Sequence, residues 1–160
     1  MNIADLIQTA LLIVVILQLW SSHNAYLADH ERRKKQATFE FVNAVSERFR
    51  SALKRFDEKH GVDKIVDISD YDDDDRYTVR SYLSEIERIC AGVNSEVFDF
   101  YILKKMMGGT LQVRHHRFEQ YIREAQQIRS NLYCEFDEVV RRLEREAVSK
   151  YENVGKIVNS

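Results

Sequence analysis

The chain has 160 residues, 24 Lys and Arg against 26 Asp and Glu, and a net charge of −2. That balance gives no reason to expect a nucleic-acid or strongly acidic partner, and two cysteines in 160 residues exclude a disulfide-stapled mini-domain. There is no proline, and the first glycine is Gly61, so long helices meet no breaker.

Residues 3–20 form one apolar stretch in which Asp5, Gln8, Thr9 and Gln18 are the clearly polar members. Eighteen helical residues rise ~27 Å, about the depth of a bilayer core. Trp20 stands where an interfacial aromatic belongs, and Arg32, Arg33, Lys34 and Lys35 follow, with no Lys or Arg before the stretch. The expectation is a single inner-membrane span over 1–22, with the N-terminus outside and the rest cytoplasmic. A cleaved signal peptide would want a positive start and a small-residue cleavage site, and neither Met-Asn-Ile-Ala-Asp nor Ser-Ser-His-Asn-Ala-Tyr supplies one. The competing soluble reading is a buried core helix, since the unbroken apolar run is only residues 10–17. At 100° per residue, Asp5, Gln8, Gln18 and Ser22 fall on one side of the span. Polar groups at that depth seek partners in other helices, so this face predicts self-association.

Residues 23–61 read as a membrane-proximal long helix. Val42, Val45, Phe49, Leu53 and Phe56 make an amphipathic stripe that Phe39 extends, and Gly61 is placed to cap its end. The segment carries more basic than acidic groups, as suits a neighbour of anionic lipid. A loop follows to about residue 75. Helices are then expected over 73–91 ending at Gly92, 95–107 ending at Gly108-Gly109, 110–130, and 132–151. Together, 62–152 form a helical domain, with 153–160 a frayed tail. The last helix carries the stripe Leu132, Phe136, Val139, Val140, Leu143 and Ala147. The fold class expected is all-α: an N-terminal transmembrane helix continuing into a long helix, then a compact bundle of three or four helices.

Chemistry is sparse. Asp70, Asp72 and Asp74 match the first ligands of a calcium loop, but Asp75 replaces its turn glycine and Ser81 its closing glutamate. The carboxylates read better as the electrostatic start of a helix. His115 and His116 point ~100° apart on a helix and read as surface residues rather than metal ligands. Cys90 and Cys134 read as reduced core residues. No catalytic residue, metal site or cofactor is expected.

From Tyr82 the sequence runs Tyr-Leu-Ser-Glu-Ile-Glu-Arg-Ile-Cys-Ala-Gly-Val, and the helix start Asn94-Ser95-Glu96-Val97 follows. With Tyr121-Ile122, Arg129, Tyr133 and Phe136, this resembles the bacterial and phage family known as domain of unknown function 4760, over roughly residues 35–145. Ser84 and Cys90 stand where that family's pattern has Asn and Ala. The resemblance implies an N-terminal hydrophobic segment and a helical core without established catalytic residues, and it suggests Glu87 and Arg129 as a polar pair between helices. The expected function is a single-span membrane protein whose cytosolic helical domain binds protein partners, copies of itself among them. The alternative is a small membrane-perturbing or pore-forming effector, antiphage or toxin-like. A soluble nucleic-acid-binding domain ranks third, opposed by the acidic stretch 61–99.

Overall fold

A computed structural model describes the backbone of residues 2–158, and the side chains of that stretch other than residues 4–6, 9, 10 and 149–158. The side chain of Asp5 and those of the expected tail, 153–160, therefore lie outside the described residues. The protein is all-α: α1 spans Ile3–His60, α2 Asp73–Asn94, α3 Phe100–Arg117, α4 Glu119–Ile128 and α5 Cys134–Val158, with a 3-10 turn at Ile68–Asp70. Residues 1–36 and 37–160 are two separate compact units.

In the second unit, Val42, Val45, Phe49 and Phe56 are buried as their spacing predicts, and Leu53 is half-buried. The stripe does not extend through Phe39, which is 53% exposed. Thr38 takes the buried position instead, and its Oγ1 accepts a hydrogen bond from the Asp99 backbone N–H at 2.7 Å. Helix α1 ends at Gly61, whose φ of +93° suits a residue without a Cβ.

Helix α2 starts on a reciprocal capping box: Asp72 accepts from the N–H of Asp75, and Asp75 accepts from the N–H of Asp72. Its buried face, including Leu83, Ile86 and Cys90, shares one core with Phe136, Val139 and Val140 of α5. Burial in that core pushes the Cys90 thiol well above its usual pKa. Leu103, Met107 and Leu111 of α3 complete the layer. The α5 stripe holds through Leu143, but Ala147 is exposed, as is Cys134, which is not the core residue expected.

Several helix ends differ from the sequence expectation, two of them because a glycine lies inside a helix rather than at its end. Gly92 lies inside α2, and a Cβ there would come within 2.3 Å of Cδ2 of Phe98. The Phe98 ring sits 5.3 Å from that of Phe41, so it has little freedom to yield. Gly92→Ala is expected to destabilise the fold by about 1–3 kcal/mol despite alanine's better helix propensity. A urea melt showing unchanged or raised stability would contradict this. Gly108 lies inside α3, where an added Cβ would meet Cδ2 of Leu143 at 3.4 Å, an ordinary contact, and α3 runs on to Arg117. The expected 110–130 helix is instead broken at Phe118, which buries its ring against Phe56 and Tyr82. Residues 129–133 separate α4 from α5, with Tyr133 at φ +59° just before α5.

Candidate functional site

The first candidate is the N-terminal apolar segment. Among the described residues, α1 is the one helix long and apolar enough to cross a membrane, with an 18-residue window of mean hydropathy 1.4. Leu11 to Leu17, Leu19 and Trp20 are each 48–66% exposed. Gln8, Gln18 and Ser22 are exposed too, with no side-chain partner among the described residues. Of the basic cluster, Arg32 and Lys35 are exposed, Arg33 pairs with Asp29 at 2.8 Å, and Lys34 is half-buried. The cluster begins 12 residues beyond Trp20, ~18 Å along a helix axis.

The second candidate is a charged joint within residues 37–160, where the end of α1 meets α2 and α3. Arg117 is only 2% exposed. Its Nη1 donates to Oδ1 of Asp57, its Nη2 to the Gly61 carbonyl at 2.8 Å, and its Nε to the Lys64 carbonyl at 3.0 Å. The guanidinium lies 4.9 Å from the centre of the Phe56 ring, so its charge is shielded by a π face as well as paired. Burial alone would raise the pKa of Asp57, but the hydrogen bonds from Arg117 and Arg114 outweigh it and hold the carboxyl below its usual value.

Beside this latch, Lys59 Nζ donates to Asp72 and Asp75, both at 2.6 Å, and His60 Nε2 lies 2.9 Å from the Asp75 carboxylate. The aspartate run thus builds a helix start and a two-helix clamp. Among the described residues no group of three or more His, Cys, Asp or Glu is arranged to hold a metal. The Lys59 hydrogen bond, followed by that from the Asp75 backbone, lowers the pKa of Asp72 from 3.8 to about 2. A depressed folded-state pKa means the stabilisation is present above about pH 4 and is lost as pH falls toward 2. Asp72→Asn should flatten that part of the stability profile, and parallel acid melts of the two proteins over pH 5 to 2 would expose the error.

Glu87 does not meet Arg129. Its two carboxylate oxygens accept the backbone N–H groups of Glu135 at 3.2 Å and Phe136 at 2.8 Å, the otherwise unpaired donors at the start of α5. Desolvation still raises its pKa above the usual value. Arg129 is exposed at the end of α4. His115 is half-buried rather than a free surface group: its Nε2 lies 2.7 Å from Asp137 and its ring stands edge-on to Phe136 at 5.1 Å, while His116 is exposed.

The latch had no sequence motif. Its one trace is that Asp57 follows the stripe residue Phe56, a polar group placed beside a core position.

Fold and geometry define a helical-bundle protein preceded by an apolar helix. The chain belongs to the family described as domain of unknown function (DUF4760), whose model matches residues 6–143. Comparison with curated proteins and with solved structures gave no match.

Proposed function

We propose that this chain is a single-span membrane protein whose helical bundle mediates protein–protein interaction and self-assembly. The observation that carries the reading is the exposure of every large apolar residue from Leu11 to Trp20. So large an apolar surface is costly in water and is covered by lipid or by another helix. In this reading the bilayer is the bacterial inner membrane, the N-terminus is outside, and the bundle is cytoplasmic, as the basic cluster after the span directs. Because that cluster stands ~18 Å past Trp20, it nears the headgroups only when the helix tilts. It therefore sets orientation more than it binds lipid. The partners are membrane lipids, further copies of the chain and a cytosolic protein; no nucleic acid, cofactor or catalysis is involved.

Self-assembly rests on Gln8 and Gln18. Inside hydrocarbon each must find a hydrogen-bond partner, and a neighbouring copy supplies one at about 0.6–2 kcal/mol per contact. Gln8→Leu with Gln18→Leu is expected to weaken association by about tenfold, read by cross-linking in native membranes. Unchanged cross-linking would remove the polar face from the mechanism, and release of the chain by alkaline carbonate would overturn the membrane reading itself. The same polar face favours the second reading, a pore or membrane-perturbing effector. Overexpression that depolarises cells, relieved by the double Leu variant, would select it.

A further inference from the structure

Between α1 and α2, wholly within residues 37–160, lies an open groove of about 940 Å³. The two helices run antiparallel there, since Arg48 meets Glu85 at 2.8 Å while Lys59 meets Asp75 at 2.6 Å. These bridges, with that from Lys59 to Asp72, give the cations at both ends of the groove their counter-ions. The middle has none. The register set by the two bridges puts Arg55 opposite Thr78 and Val79, so Arg55 and Arg80 stand on facing walls within ~3 Å of each other along the axes. Both are exposed, both line the groove, and neither has an ion-pair partner among the described residues. The sequence denies them local partners as well. The neighbours of Arg80 one helical turn away are Arg76, Tyr77, Leu83 and Ser84, and the one acid so placed from Arg55 is Glu58, which pairs with Lys54 at 3.7 Å. Thr78 and Ser81 line the same stretch, half-buried, and their hydroxyls make no hydrogen bond among the described residues. The Ser84 hydroxyl, by contrast, is spent on the Arg80 carbonyl at 2.8 Å.

A guanidinium presents a planar fork of N–H donors that fits the oxygens of a carboxylate or a phosphate. Two such forks on opposite walls, with two free hydroxyls, suit an acceptor that gathers about two negative charges and three oxygens on one centre. A phosphomonoester meets that description and a carboxylate does not. The groove also limits the length of its ligand. A polyanion such as nucleic acid would run onto Glu85 at one end and onto Asp72 and Asp74 at the other, and like charges repel it there. We infer that the middle of the α1–α2 groove binds the phosphoryl group of a small soluble phosphomonoester, clamped between Arg55 and Arg80 with Thr78 and Ser81 as further donors. Tyr77, 73% exposed and lining the same groove, gives the body of the ester a ring to rest on. Because the clamp has one jaw on each helix, the bound phosphoryl group ties α1 to α2. This site goes beyond the membrane and self-assembly reading and does not depend on it.

The test titrates the full chain, in mild detergent, with inorganic phosphate and with glycerol phosphate, followed by calorimetry and by the melting temperature. Both probes are expected to bind saturably at one site per chain and to raise Tm, as a ligand of the folded state must. Arg55→Gln and Arg80→Gln lose no ion pair, so each should melt like the parent without ligand, yet each should weaken binding by about tenfold and abolish the ligand-induced rise in Tm. Lys54→Gln, an exposed cation outside the groove, should bind like the parent. Absence of saturable binding at millimolar concentrations, or binding that both arginine variants retain, overturns the inference. A loss as large in Lys54→Gln would show diffuse attraction in place of a clamp, and so overturns it too. Binding of inorganic phosphate alone would refute the ester. An oligonucleotide held more tightly than glycerol phosphate by the same two arginines would refute the choice of a small ligand. None of these outcomes turns on whether the chain is membrane-bound or oligomeric, so the self-assembly reading stands or falls separately.

Discussion

Asp57→Ala is expected to destabilise the bundle by about 3–5 kcal/mol, because it strands a buried guanidinium without its counter-ion. For a unit of this size that corresponds to a fall in Tm of roughly 10–20 °C. Arg117→Met should cost less, about 1–3 kcal/mol. It removes the charge with the side chain and keeps apolar contact with Phe56; Asp57 retains the longer contacts from Arg114, and the Gly61 and Lys64 carbonyls are left short of a donor. The order of the two variants is the informative result. If Arg117→Met were the more damaging, the guanidinium would be acting as a packing element and the pairing with Asp57 would be incidental. Arg114 does not rescue Asp57→Ala, since its own contacts to that carboxylate are long, at 3.4 Å, and vanish with it.

The second large effect concerns residues 37–160 on their own. This unit holds the hydrophobic core, from Val42 to Leu143, and the Asp57–Arg117 latch. A fragment beginning at Ala37 is expected to stay in the supernatant after ultracentrifugation and to melt cooperatively, whereas the whole chain sediments with membranes. Loss of cooperative melting would mean that residues 1–36 contribute to folding. A full-length chain found in the supernatant would mean that exposed apolar residues 11–20 are covered by protein rather than lipid.

The fold was legible where apolar spacing and capping chemistry act locally. Val42, Val45, Phe49 and Phe56 announce one buried face by spacing alone, and Asp72 with Asp75 announces a helix start. What failed was glycine. Gly92 and Gly108 look like helix ends in one dimension, but both lie inside helices, and Gly92 admits Phe98, a ring whose approach no helix-stop rule reveals. The break at Phe118 is hidden for the same reason: its cause is a core position beside Phe56, 62 residues earlier in the chain. The polar assignments suffered most. Glu87 was matched to a cation, yet it serves the backbone of α5, and backbone donors leave no mark in a sequence.

The Asp57–Arg117 bond joins residues 60 positions apart. At a synthesis rate of 5–20 residues per second, the ribosome delivers Arg117 about 3–12 s after Asp57. Throughout that interval Phe56 has been made without Phe118 or the guanidinium that will cover it. The apolar segment ahead of it is by then complete, so under the membrane reading proposed above its engagement precedes closure of the bundle during synthesis. The latch therefore closes only after more than two thirds of the chain has been made.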